Sequence, residues 1–156
     1  MNVKRYGKVC FVASSGGHME ELSRLKELMN HNDFILTEKS AYNAIDWCKN
    51  IHYIYQINRK EFLFPLKFML LIFYSLVVLL KEKPDVILST GALVTIPICY
   101  WGKLFGKKII YIESFARIDN GSLTGKLMYK IADLFIVQWK EMLNVFPKAM
   151  YGGGIF

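Results

Sequence analysis

The run Val9-Cys10-Phe11-Val12-Ala13-Ser14-Ser15-Gly16-Gly17-His18 decides the fold: an apolar stretch of strand length ends in a serine-glycine loop, and an amphipathic stretch starts directly behind it. Met19, Leu22, Leu25 and Leu28 or Met29 recur at helical spacing and predict a buried stripe, with Glu20, Glu21, Arg24, Lys26 and Glu27 on the solvent side. Strand, tight loop and helix in direct succession open an α/β unit. A helix start leaves backbone N–H groups unpaired and carries partial positive charge, and glycines let a phosphate approach the backbone where a Cβ would block it. The loop therefore reads either as a plain glycine turn or as a diphosphate cradle formed by Ser14, Ser15, Gly16 and Gly17. His18 stands where the loop enters the helix, and a neutral imidazole there can take a proton from a hydroxyl near neutral pH.

The same alternation continues along the chain. Strands are predicted at 8–13, 33–37, 52–57, 86–89, 108–112 and 134–137, separated by segments of helix length. This pattern predicts a Rossmann-like α/β domain, a parallel sheet with helices on both faces. Ligands in such sheets bind beyond the carboxyl ends of the strands, so the loops at 14–18, 37–39, 58–60, 89–91 and 113–117 are the places for a site. With 156 residues, the chain reads as a single domain over 1–156.

Composition narrows the function classes. Hydrophobic residues make up 53% of the chain and the mean hydropathy is +0.24, yet the net charge is +7. A basic and apolar chain points to a membrane surface. Nucleic acid is disfavoured, because Lys and Arg are scattered as ones and twos rather than clustered among exposed aromatics. Cys10, Cys48 and Cys99 are far apart, form no CxxC pair and have no metal-ligand spacing to the dispersed histidines, so reduced thiols and no metal are expected. Residues 1–8 lead into a strand too short for a secretory h-region, which predicts a cytosolic domain.

The most hydrophobic segment spans residues 62–80, between Arg59-Lys60 and the pair Lys81 and Lys83. Pro65 and Lys67 interrupt it, and the apolar part between Lys67 and Lys81 is shorter than the roughly 20 residues of a membrane span. Its place between two predicted strands makes it a crossover helix. Such a helix needs one apolar face, and this one is apolar nearly all round. It is therefore either buried on every side or turned outward to lipid or a partner, with Phe62, Phe64, Phe68, Leu71 and Ile72 as the expected membrane contacts.

Two further junctions carry polar groups. Ser89-Thr90-Gly91 follows an apolar strand and precedes a helix expected from about Ala92, with Pro97 inside it. The serine and threonine read as helix caps or as ligands for a phosphate or sugar hydroxyl. Glu113 ends the strand at 108–112 and is followed by Ser114-Phe115-Ala116-Arg117. It is expected to face the cleft as a base, to orient His18 or to accept sugar hydroxyls, or else simply to pair with Arg117. Gly121-Ser122-Leu123-Thr124-Gly125-Lys126 is one residue short of a Walker phosphate loop and has Leu127 where a magnesium-binding hydroxyl belongs. The end of the sequence, Gly152-Gly153-Gly154-Ile155-Phe156, reads as a frayed tail or as a flexible arm whose Ile155 and Phe156 insert into a partner.

Three ordered pieces resemble a known family: Ser14-Ser15-Gly16-Gly17-His18 with Glu20 and Leu22, Pro84-Asp85-Val86-Ile87-Leu88-Ser89-Thr90-Gly91, and Ile112-Glu113-Ser114-Phe115-Ala116-Arg117. They are similar to the membrane-associated accessory subunits of split glycosyltransferases in capsule and exopolysaccharide synthesis. Those are in turn related to the anchoring subunit of the eukaryotic enzyme that adds the second N-acetylglucosamine to dolichol diphosphate. The first two pieces also resemble the amino-terminal half of the peptidoglycan transferase that makes lipid II. The resemblance implies the amino-terminal, acceptor-side half of a GT-B glycosyltransferase, peripheral to the cytoplasmic face of the cell membrane. Its expected partners are a separate donor-binding subunit equivalent to the carboxyl-terminal half, a lipid-linked sugar acceptor and the membrane surface, with no cofactor. It implies acceptor and diphosphate contacts from Ser14, Ser15, Gly16, Gly17, Ser89, Thr90, Gly91, Ser114 and Arg117, with His18 or Glu113 as the base of an inverting transfer. A non-catalytic anchor that activates its partner is the alternative. The eukaryotic relatives carry an amino-terminal transmembrane helix, which is not expected here, so residues 62–80 are left as the membrane contact.

Overall fold

In the computed structural model of the chain, which describes residues 7–40 and 45–155, seven strands form one parallel sheet in the order β3-β2-β1-β4-β5-β6-β7. The strands are β1 (Val9–Ala13), β2 (Phe34–Glu38), β3 (Ile51–Ile54), β4 (Val86–Gly91), β5 (Lys108–Ile112), β6 (Leu134–Val137) and β7 (Met150–Tyr151). The chain works outward from β1 to one edge, crosses back to β4, and works outward to the other edge. β1 and β4 are therefore neighbours whose connections leave in opposite directions, which opens a crevice at their carboxyl ends.

The inner strands β1, β2 and β4 are buried on both faces, as a parallel sheet requires. Cys10, Val12, Phe34, Leu36, Ile87, Ile109, Tyr111, Phe135 and Val137 pack on one face; Phe11, Ala13, Ile35, Leu88 and Ile112 pack on the other. The two layers are unequal. The first is covered by α2 (Phe64–Glu82), α3 (Thr95–Leu104) and α4 (Leu123–Met128), the second mainly by the short α1 (Gly17–Ser23) through Met19 and Leu22. The residues of α1 end sooner than the sequence pattern suggests: a separate 3-10 turn follows at Lys26–Leu28, and Leu28 is exposed.

At the amino ends of the strands, aspartates fasten the register. Asp33 accepts from the N–H of Val9 at 2.8 Å, Asp85 from Lys8 at 2.9 Å and Asp133 from Ile109 at 2.9 Å, each the start of an adjacent strand. Glu82, in the last turn of α2, joins them. It takes the Lys8 ammonium, His52 Nε2 at 2.8 Å and Asn50 Nδ2 at 3.3 Å, which fixes the helix to both β1 and β3.

The long apolar segment is one helix of 19 residues. Pro65 lies in its first turn, where no intrahelical N–H is lost, so it starts the helix rather than interrupting it. By length and composition α2 is long and apolar enough to cross a membrane, yet Leu71, Ser75, Val78 and Leu79 are buried inside the domain. Leu71, expected toward lipid, is turned into the core at 3% exposure, and Phe68 packs against the same core. Ile72 gives its carbonyl to Trp101 Nε1 at 3.0 Å, tying α2 to α3. Phe62 is 97% exposed, and Leu66, Met69, Leu70, Phe73, Val77 and Leu80 form a continuous outward stripe. The all-buried alternative is thereby excluded.

The expected flexible arm is a docked tail instead. Met150–Tyr151 pairs with β6, Gly152 N–H reaches the Val137 carbonyl at 3.0 Å, Ile155 N–H donates to Gln138 Oε1 at 2.9 Å, and the Ile155 side chain packs on the α1 face. Phe156 lies outside the described residues.

Glu82 makes a pH dependence. Burial works against its charge, but hydrogen bonds and charge from Lys8 and His52 outweigh this and hold its pKa at about 2, below the ordinary 4.5. A carboxylate with a lowered folded pKa stabilises the fold above its unfolded pKa, and that contribution is lost as pH falls toward the folded value. Glu82→Gln should cost about 1–3 kcal/mol near neutral pH, and urea denaturation curves of variant and wild type should converge as pH drops from about 5 to about 2.

Candidate functional site

The crevice between β1 and β4 is closed at its base by backbone. Ser14 N–H donates to the Gly91 carbonyl at 2.9 Å, so the two strand ends are stitched together where their loops diverge. His18 is clamped over this stitch: Thr90 Oγ1 donates to the His18 carbonyl at 2.7 Å, and His18 Nδ1 faces the Thr90 carbonyl at 2.8 Å. A carbonyl only accepts, so Nδ1 carries the hydrogen, and in the neutral ring Nε2 is left as the proton acceptor. The ring lies so near Gly91 that a Cβ there would sit 3.0 Å from it, and the φ of +109° independently requires glycine.

The glycine loop faces outward. A Cβ on Gly16 or Gly17 would meet nothing within 4 Å. The φ of +82° explains Gly16 as a backbone requirement. Nothing in the packing requires glycine at Gly17; a side chain there would only fill the open space before the loop. Ser15 gives its N–H and hydroxyl to Glu38 at 3.3 Å each, and Ser14, itself buried, accepts from Ala92 N–H at 3.4 Å.

Neither Ser89 nor Thr90 caps a helix. α3 begins at Thr95, with Pro97 in its first turn; Ser89 Oγ pairs with Thr95 Oγ1 at 2.6 Å and accepts from Gly91 N–H at 2.9 Å, inside the fold. Thr90 is spent on His18.

Glu113 is likewise turned inward. It is 1% exposed and accepts from Ser114 N–H at 3.0 Å and from Ser122 Oγ at 2.9 Å. Ser122 caps α4 by accepting from Gly125 N–H at 2.8 Å, and a Cβ on Gly125 would fall 1.7 Å from the Glu113 carboxylate. The near phosphate-loop sequence is thus the capped start of α4, seated on a buried carboxylate. The expectations of a carboxylate open to the cleft, pairing with Arg117 or orienting His18, are corrected: Arg117 Nη1 donates to Asn120 Oδ1 at 2.8 Å, and His18 is oriented by Thr90.

The carboxylate that the sequence reading missed is Glu21, assigned there to solvent but only 3% exposed. It accepts from Ser114 Oγ at 2.9 Å, Phe115 N–H at 3.0 Å and Gln138 Nε2 at 3.3 Å. Burial pushes its pKa up, against those hydrogen bonds and the charge of His18. Gln138, which also donates to the Glu113 carbonyl at 3.0 Å, is the residue that receives Ile155. Its spacing offered a signal: Glu21 lies one turn from both His18 and Leu25, between the site and the buried stripe. Among the described residues no three His, Cys, Asp or Glu gather as a metal site.

A parallel sheet with this strand order and a glycine loop at its switch point defines a Rossmann-like domain, and its structural neighbours are GT-B-like glycosyltransferases and epimerases, consistent with the amino-terminal half of a GT-B fold. Acinetobacter baumannii MurG superposes with a TM-score of 0.68 at 17% identity over 86% of this chain and 42% of that one. The Staphylococcus aureus MnaA solved with UDP gives 0.69 at 15% identity over 94% and 43%. The chain thus spans less than half the length of these solved structures. Residues 9–155 match the family described as "Oligosaccharide biosynthesis protein Alg14 like", and the chain belongs to that family. The mouse UDP-N-acetylglucosamine transferase subunit ALG14 is 29% identical over 95% of this chain and 82% of its own length, and the Candida albicans subunit of that name is 41% identical over 51% and 39%.

The closeness of His18 to Gly91 has a measurable cost. Gly91→Ala should destabilise the domain by about 1–3 kcal/mol in urea denaturation and shift the His18 ring resonances in NMR spectra.

Proposed function

We propose that residues 1–156 form the acceptor-side domain of a two-component glycosyltransferase, working with a separate donor-binding subunit at the cytoplasmic face of a membrane. The acceptor is a sugar on a polyprenyl diphosphate. Backbone at Gly16 and Gly17, flanked by Ser14 and Ser15, takes the diphosphate; Gly91, Ser114 and Arg117 border the acceptor sugar. His18 Nε2 removes the proton from the acceptor hydroxyl, whose oxygen attacks the anomeric carbon of the donor sugar from the opposite face as the bond to the nucleoside diphosphate breaks, so the sugar is transferred with inversion. The observation that carries this reading is the clamped imidazole beside a glycine loop open to solvent. Family membership supports the transferase-subunit role. The motif resemblance supports the further placement in capsule or exopolysaccharide synthesis. Ser89, Thr90 and Glu113 serve the site by holding the β4 turn, His18 and α4.

The outward stripe of α2 supports peripheral membrane attachment, with Arg59, Lys60, Lys81 and Lys83 at its two ends for anionic headgroups. Glu113's inward role favours comparison with the second reading, a pure anchor that leaves all chemistry to its partner.

Activity separates the two. With the donor-binding partner, a nucleotide sugar such as UDP-N-acetylglucosamine and a polyprenyl-diphosphate acceptor, the mixture should turn over and either subunit alone should not. His18→Ala should lower kcat about 10²–10⁴-fold with partner binding retained; retained turnover would identify an anchor. Gly17→Val should leave the melting temperature unchanged and raise the acceptor KM about tenfold or more.

Membrane attachment is checked by sedimentation with anionic vesicles. Replacing Leu66, Met69, Phe73 and Val77 by Ser should release a folded protein, since each large apolar side chain contributes about 1.5–3 kcal/mol when buried. The wild-type interaction should weaken with salt, at about 1 kcal/mol per basic residue near the surface.

A further inference from the structure

Beside the glycine loop, at the β3 edge of the sheet, lies a groove of about 290 Å³ that the site described above does not use. Its walls are mainly Ile54, Tyr55, Ile57, Leu70, Leu71 and Tyr74, from the end of β3, the segment after it and the first half of α2, with Tyr53 and one cation, Lys67, completing them. The lining is apolar and aromatic, which suits a hydrocarbon and offers little to a sugar or nucleotide, whose hydroxyls need several placed polar partners. The groove is joined to the loop through one carboxylate. Glu38 accepts from Ser15 N–H and Oγ on one side and from Ile57 N–H, at 3.5 Å, on the other. Lys67, ion-paired with Glu61, stands in the groove wall, and the exposed Arg59 and Lys60 follow two and three residues after Ile57. An apolar trough with a cation in its wall and two more close by in sequence, linked through Glu38 to an open glycine loop, is complementary to an amphiphile with an anionic head. At its outer wall the groove meets the exposed stripe of α2, since Leu70 belongs to both.

We propose that this groove receives the isoprene units next to the diphosphate of the lipid-linked acceptor, threading the chain from the loop to the outward face of α2. The proposal rests on the acceptor reading above and adds to it a subsite for the lipid. It implies that the protein selects its acceptor by the first few isoprene units and extracts them from the bilayer, instead of reading only the head group that projects from it.

Calorimetric titration of the intact chain in detergent-free solution tests this with farnesyl diphosphate, farnesol and inorganic pyrophosphate. Farnesyl diphosphate should bind at least about tenfold more tightly than pyrophosphate. Leu70→Glu and Tyr74→Ala should remove that advantage and leave pyrophosphate affinity unchanged. Val77→Glu, on the same helix but outside the groove, should leave the affinity for farnesyl diphosphate unchanged. Persistence of the advantage in both groove variants overturns the proposal, as does an equal loss in Val77→Glu, which would mean adsorption to the general apolar face. Equal affinity for dodecyl phosphate would assign the groove to acyl chains and overturn it too. If farnesol binds and Leu70→Glu abolishes this while pyrophosphate does not bind, the groove stands and the diphosphate loop fails. Because Leu70 is 59% exposed, a charge there is compatible with the fold.

Discussion

The stitch between Ser14 and Gly91 is the constraint from which the site follows. Two parallel strands whose connections leave in opposite directions must diverge at their carboxyl ends, and the gap would be filled by solvent unless backbone closed it. Here Ser14 N–H closes it on the Gly91 carbonyl, and the His18 ring rests on the same glycine. The positive φ of Gly91 and the absence of a Cβ are both needed, because a side chain there would press on the imidazole at 3.0 Å. Next to that glycine, the Thr90 carbonyl fixes the tautomer of a histidine seventy-two residues earlier.

The unequal covering of the sheet is the second consequence of topology. Three helices crowd one face because the return crossover from β3 to β4 and the two connections after it run the same way. α2 flanks α3 on the side towards β3 and is apolar on both sides. Its inner side closes the core with Leu71, Val78 and Leu79; its outer side is left exposed by the described residues. A helix in that position is long enough to span a membrane but is anchored at its end by Glu82 to Lys8 and His52, so it lies along the domain.

Much of this architecture is legible in the sequence, because a buried parallel sheet writes its strands as short apolar runs. β5 and β6 occur at the predicted residues, and the other predicted strands are displaced by one to three. β7 was illegible: two exposed residues, Met150 and Tyr151, carry no periodicity and pair only because β6 offers an edge. The Gly-Gly-His loop was legible as a site because glycine and histidine have chemical meaning at a strand end. Glu21 and Glu113 were misread for the same underlying reason. A helical wheel or a strand end tells which way a side chain starts out, and not whether the opposing surface supplies donors for its carboxylate. Those donors, Ser114, Phe115, Gln138 and Ser122, come from distant or later segments that no local pattern announces.

These two buried carboxylates also limit what mutagenesis of the site can mean. Glu113 holds the start of α4 through Ser122 and occupies the space that a Cβ on Gly125 would take; Glu21 holds the loop at Ser114 and Phe115 and, through Gln138, the tail at Ile155. Removing either leaves buried donors unpaired, at about 1–3 kcal/mol for each group left unsatisfied, and frees the 113–117 loop beside the crevice. Lost activity in such a variant therefore reports the loop's position as readily as a proton transfer. His18 differs, because it is half-exposed, sits on the crevice side of the stitch and retains a ring nitrogen with no structural duty assigned to it by the tautomer. In the proposed function the base and the scaffold are thus different side chains, and the imidazole is the one whose removal tests the chemistry.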